Sequence, residues 1–147
     1  MTATEALNYF EAQVKRLIQS NELKIKVVRA PLAIREPGLV IRVLPRKVFL
    51  TGHTQAERNN GNSALTIALL LSGRIDSDTA MERLLSSSEF LMQCSLQVHR
   101  LENTDGETIL NSRISWSTSS EDAVFEDPAD DTVVWAREEW RVVIYLP

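Results

Sequence analysis

The stretch from Ser63 to Met92 does most to limit what this chain can become. Leu65, Ile67, Leu69 and Leu71 share one face at strand period, while Ala64, Thr66, Ala68 and Leu70 make an opposite face with almost no polarity. Such a strand belongs in the middle of a sheet, with both faces covered. Beyond Ser72-Gly73-Arg74-Ile75-Asp76, read as a turn at Gly73, the period changes. Met81, Leu84, Leu85 and Leu91 fall on one side of a helix, with Glu82, Arg83 and Ser86 on the other. The expected unit is a buried strand feeding a packing helix, and it contains no catalytic signature.

The 147 residues suit one domain, residues 1–147, and a chain of that size buries about 70% of its unfolded surface. Charged residues at 24% and hydrophobic residues at 44% argue against a disordered or collagenous chain. The longest apolar run, Ile67 to Leu71, is far short of the roughly 18 residues that span a bilayer. Met1-Thr2-Ala3-Thr4-Glu5 has no basic or apolar signal character, so the chain is expected to stay in the cytoplasm, with no membrane partner. Cys94 has no second cysteine to pair with and no Cys/His spacing resembles a zinc site, so a buried thiol is expected, with no metal and no cofactor.

In chain order, Thr2 to Ser20 reads as a helix. Thr2 and Glu5 form a capping box, and Leu7, Phe10, Val14, Leu17 and Ile18 make an apolar stripe that needs a sheet beneath it. Leu23, Ile25 and Val27 alternate with Lys24 and Lys26 in a half-exposed strand, where lysines suit an edge. Leu39, Ile41 and Val43 begin a second strand. Pro45 makes it bulge or places it at an edge before it resumes at Val48-Phe49-Leu50. Thr51 to Asn62 reads as a long hairpin loop. Leu96 and Val98 open a further hairpin that turns at Asp105-Gly106 and returns through Ile109, Ile114 and Trp116. Every glycine falls in an expected turn. A terminal strand runs through Trp140, Val142, Val143, Ile144, Tyr145 and Leu146. The class is α+β: a mixed, mainly antiparallel sheet packed by two main helices, with an additional β-hairpin.

Ser117 to Asp131 is read as an acidic loop holding Glu121, Asp122, Glu126, Asp127, Asp130 and Asp131; it lacks the alternate carboxylates and the glycine of a calcium loop. His53 lies near Thr51, Thr54 and Glu57, so a base and a hydroxyl could meet there in a small enzyme; His99 is the other histidine. The reading preferred is that the protein is not an enzyme and that exposed loop histidines carry no chemistry.

In this order of elements the chain resembles the tail terminator proteins of long-tailed bacteriophages. The matching stretches are Leu39-Val40-Ile41-Arg42-Val43, Ala64-Leu65-Thr66-Ile67-Ala68-Leu69-Leu70, Asp76 to Met92, and Trp140 to Leu146. The hairpin at Asp105-Gly106 is where the chain departs from the simplest members. The resemblance implies a structural virion protein of the tail or neck, assembled in the host cytoplasm. Its role would be a sixfold ring that stops tail-tube polymerisation and meets the head-side connector. Its partners would be further copies of itself, the tail tube protein and a connector or neck protein, with DNA passing through the lumen without specific binding. A head-completion or neck protein of the same assembly is the alternative.

Charge is placed unevenly. Lys24, Lys26, Arg42, Arg46 and Lys47 crowd one region, and the six acids of the 117–131 segment another. Opposite surfaces suit a head-to-tail ring contact, with Trp116, Phe125 and Trp135 expected half exposed to supply apolar affinity. The acids would line either that contact or the lumen. With a net charge of −4 and no basic run interleaved with aromatics, the sequence argues against a nucleic-acid-binding surface.

Overall fold

The computed structural model describes residues 1–29, 39–103, 105–118, 123–127 and 130–146; for 110, 111, 123–127 and 130–134 it describes the backbone alone. Helix α1 (Ala3–Ser20) starts where the sequence places it. The Thr2 hydroxyl accepts from the Glu5 N–H, and the Glu5 carboxylate accepts from the Thr2 N–H. Two donors that the first turn leaves unpaired are thereby satisfied. Strands β1 (Ile25–Val28) and β2 (Leu39–Leu50) pair in parallel, and β3 (Ser63–Ile75) lies antiparallel to β2. A single helical turn, α2 (Gln55–Arg58), interrupts the expected long loop, capped by Thr54 and Glu57. Gly52 admits it: at φ +122°, a Cβ there would stand 2.6 Å from the Glu57 Cβ.

Helix α3 (Asp78–Gln97) leads through β4 (Arg100–Glu102) to β5 (Thr108–Thr118), β6 (Ala123–Asp127) and β7 (Asp130–Leu146). The described strands form one seven-stranded sheet in the order β1-β2-β3-β7-β5-β4, with β6 on β7. β7 holds it together, pairing with β3 along one side and with β5 and β6 in turn along the other. The class is therefore α+β with a large mixed sheet, and β3 is central.

One buried cluster unites Phe10, Val14 and Ile18 of α1, Phe90, Leu91 and Cys94 of α3, and Ile41, Val43, Leu65, Ile67, Leu69, Leu71, Trp140, Val142 and Ile144 of the sheet. Against it packs the partly buried Trp116, whose ring lies 5.7 Å from that of Phe10 and 6.1 Å from that of Trp140, and whose indole N–H donates to the Val98 carbonyl. Gln13 is buried beside the cluster because its amide bridges the Arg100 carbonyl and the Glu102 N–H, satisfying two backbone groups of β4.

Several expectations need correction. Gly73 is not in a turn; it sits inside β3 between Leu39 and Ala136. The buried side of α3 is rotated from the expected one: Met81 and Leu85 are 50% and 60% exposed, whereas Ser87 is buried and donates its hydroxyl to the Arg83 carbonyl. The helix also runs on to Gln97, so Leu96 is helical and exposed. The acidic segment is not all loop, since β6 and the start of β7 pair within it. Among the described residues, none of the core cluster lies on the second face of β3. Ala64, Thr66 and Ala68 are buried yet stand outside the core cluster, and their cross-strand neighbours on that face include Phe49 and Tyr145, Lys47 and Val143, and Leu44 and Arg141. Small residues there are flanked by long ones, and farther along the same face Val40 and Trp135 are buried as well.

Candidate functional site

Two kinds of surface are left uncovered, and both start from strand geometry. β1 pairs only with Leu39 to Arg42, so beyond Arg42 the outer edge of β2 has no described partner. Pro45 falls on that free edge, where its missing N–H costs no ladder bond. The register with β3 slips between Pro45 and Lys47, so two residues oppose one. The bulge turns Arg46 and Lys47 toward the same side, away from the core cluster: Arg46 Nη2 stands 4.0 Å from Glu139 Oε1, and Lys47 Nζ lies 5.6 Å from the centre of the Phe49 ring. Val48, Phe49 and Leu50, all exposed, complete an apolar tail to the strand.

The second uncovered surface is on α3. Met81, Leu85, Met92 and Leu96 are 45–63% exposed and, at 3.6 residues per turn, lie within about 60° of one another around the helix axis. Apart from Met1, every large hydrophobic side chain found exposed among the described residues belongs to this stripe or to the β2 tail.

The sheet face opposite the core cluster has a different character. Cross-strand pairing sets Arg113 beside Tyr145, Ser115 beside Val143, and Ser117 beside Arg141, with Arg137 farther along β7 and Arg100 opposite Arg113. Arg113 stacks over the Tyr145 ring, 4.9 Å from its centre. Between Arg46, Lys47 and Phe49 on β2 and Glu139, Arg141 and Val143 on β7 runs a groove of about 520 Å³, floored by Thr66 and Ala68. Glu139 is placed between two cations, Arg46 and Arg137, the latter at 3.5 Å.

The residues singled out from sequence are distributed as follows. Arg46 and Lys47 are exposed together, and Lys26 lies on the same face through its pairing with Val40. Arg42 is buried there, its guanidinium donating to the Ser72 hydroxyl at 3.1 Å. Lys24 stands apart, near the start of α3 with Asp76 and Arg83. Trp135 is 5% exposed and so is not the half-exposed anchor expected, whereas Trp116 is partly buried, packed against the core cluster. Phe125 pairs with Trp135 by register, but its side chain lies outside the described residues. So do the side chains of Glu126, Asp127, Asp130 and Asp131, while Glu121 and Asp122 are outside altogether.

The His53 loop uses its polar groups for architecture. The Glu57 carboxylate accepts from the backbone N–H groups of His53 and Thr54, the Thr54 hydroxyl accepts from the Glu57 N–H, and the Thr51 hydroxyl donates to the Asn62 carbonyl. A carboxylate on two N–H donors is the carboxylate of a helix cap. His99 is exposed with a ring nitrogen 2.6 Å from the Leu96 carbonyl. Burial pushes the Cys94 thiol up to about 12, which removes the thiolate at neutral pH. Among the described residues no three His, Cys, Asp or Glu side chains gather as a metal set, and no helix is long and apolar enough to cross a membrane.

Sequence reasoning missed the α3 stripe and the cationic sheet face. The spacing of Met81, Leu85, Met92 and Leu96 was available as a signal, but a helix with apolar residues on two sides does not say which side is inside. No protein-family model matches the chain, and no curated protein matches it.

Proposed function

We propose that the chain is a structural, ring-forming subunit of the kind its sequence resembles, a terminator of bacteriophage tail tubes, in which α1 and α3 pack as one layer on one face of the sheet. The observation that carries this reading is that, among the described residues, the exposed large hydrophobic side chains other than Met1 gather in two places, the α3 stripe and the tail of β2. A twofold dimer needs one patch that complements itself, whereas a head-to-tail contact needs two different ones, and it closes into a ring when the rotation allows. Arg46 and Lys47 border the apolar part of the β2 tail, an arrangement of apolar centre and charged rim that suits an interface. The ring would stop tube growth by occupying the tube's end, and would leave its other surface for the head-side connector. This assigns the ring contact to different residues from those chosen by charge alone; the count of six rests on the resemblance.

Mass photometry and electron microscopy at rising concentration test it. Rings of one closed size that seat on purified tail tubes are expected. Leu85→Glu with Leu96→Glu should dissolve the rings and leave the fold intact, because both side chains already face water in the single chain. A strict monomer in the presence of tubes overturns the reading.

A further inference from the structure

We propose that the sheet face opposite the core cluster binds the phosphate backbone of duplex DNA without reading its sequence. The proposal goes beyond the ring reading and does not depend on it, because the surface is complete within one chain. Arg46, Lys47, Arg100, Arg113, Arg137 and Arg141 are exposed on this face, brought there from β2, β4, β5 and β7 by cross-strand register. The acid that faces them among the described residues is Glu139, already flanked by Arg46 and Arg137. In a chain with a net charge of −4, the described side chains of this face carry these six cations against one acid.

The chemistry of the face selects the ligand. Five of the six cations are arginines, whose planar fork matches phosphate oxygens. Four strand spacings from β2 to β4 make the face about 19 Å wide, enough for the phosphate rows on both sides of a groove about 6 to 12 Å across. Between the cations lie the exposed Ser115 and Ser117 with the small buried Thr66 and Ala68 and the partly buried Val143, a centre with little apolar relief. Interfaces with proteins are depleted of charge at their centres, whereas those with DNA are polar and positively charged throughout. The exposed aromatics also speak against an unpaired strand. The Phe49 and Tyr145 rings each already hold a cation over one face, Lys47 and Arg113, which a stacking base would have to displace there. Cations spread over four strands meet phosphates, so the binding should be electrostatic and insensitive to sequence.

The test is fluorescence anisotropy of a labelled mixed-sequence duplex titrated with the full-length chain at several salt concentrations. Binding should weaken at least about a hundredfold between about 50 and 200 mM salt. Arg113→Glu with Arg141→Glu should lower affinity at least about tenfold more and reduce the slope of log K against log salt by about 2. Lys15→Glu with Arg83→Glu makes the same change in net charge away from this face and should stay within about twofold of the parent. Should the first pair unfold by circular dichroism, Arg113→Gln with Arg141→Gln replaces it, and unchanged affinity in that pair overturns the proposal. So does the absence of binding at about 50 mM salt, or an equal loss from the two reversal pairs. Competition by polyglutamate as effective as that by unlabelled duplex would assign the face to an acidic protein instead and would equally overturn it.

Discussion

The two faces of β3 come from the same thirteen residues and differ in almost everything else. Leu65, Ile67, Leu69 and Leu71 point into the cluster that includes α1 and α3, and each is at most 3% exposed. Ala64, Thr66 and Ala68 are nearly as hidden, but they lie on the face that carries the arginines, where Val40 and Trp135 are also buried yet no described residue belongs to the core cluster. Burial on the first face comes from close packing against another layer, which is costly to disturb. For the three small residues of the second it comes from being short among long neighbours. Equal burial therefore does not mean equal contribution to stability.

That difference sets the largest effect to be expected. Ile67→Ala should cost about 2 to 5 kcal/mol, the lost transfer energy plus a cavity that the surrounding layer cannot close. Ala68→Ser, one position along and almost as buried, should cost under about 1 kcal/mol, since a hydroxyl there joins a polar face. Urea unfolding of both variants checks the pair. Similar losses would mean that the second face is also a packed interior.

The next effect concerns the cover of the dry face. Thr2→Ala removes the side-chain half of the α1 capping box and should destabilise the chain by about 1 kcal/mol. The loss should appear as fraying of the first turn in amide hydrogen exchange. Protection of residues 5 and 6 unchanged from the parent would show that packing, and not the cap, fixes the start of α1.

The two sides of α3 repeat the contrast on a helix. Leu91→Ala should cost about 2 to 5 kcal/mol. Leu85→Gln, measured at a concentration low enough to prevent self-association, should stay within about 0.5 kcal/mol of the parent. A large loss at Leu85 in the isolated chain would return that residue to the core, where the sequence first placed it.

What could be read in the sequence, and what could not, follows from the range of the interactions. The Thr2–Glu5 box, the Pro45 irregularity and the Asp105-Gly106 turn are set by neighbours a few residues away, and all three are present. The phase of α3 was misread because a serine occupies its buried side. Ser87 satisfies its hydroxyl on its own helix, so a polar residue there incurs little penalty, while the apolar stripe opposite stays in water. Gly73 looked like a turn because glycine usually marks one, yet in β3 its lack of a side chain sits opposite Leu39 and Ala136. The cationic face leaves no trace as a run of charge. Its residues are contributed one or two per strand and meet only through a register that no local pattern records.

The smallest effect separates two carboxylates that each hold two cations. Glu139 shares the cationic face with Arg46 and Arg137, whereas Glu11, on α1, holds Lys15 one turn along and Arg29 just past the end of β1. At Glu11 burial by itself would raise the carboxyl, but the hydrogen bonds and charges of Lys15 and Arg29 outweigh it and hold the group below its ordinary value of 4.5. A carboxyl whose folded pKa is depressed binds protons less readily in the folded chain than in the unfolded one. Its contribution to stability is therefore complete above the unfolded value and is lost as pH falls through the folded one. The pair with Arg29 also ties β1 to α1, so the loss should be felt at the sheet edge. Glu11→Gln should accordingly lower the melting temperature slightly at pH 7, and the gap from the parent should narrow steadily as the pH is taken below 4.5. High salt should shrink the gap at pH 7, since the Lys15 and Arg29 side chains are 54% and 41% exposed and their attraction is screened. A gap that stays constant from neutral to acid pH would show that the Glu11 side chain supports the α1–β1 contact by packing alone.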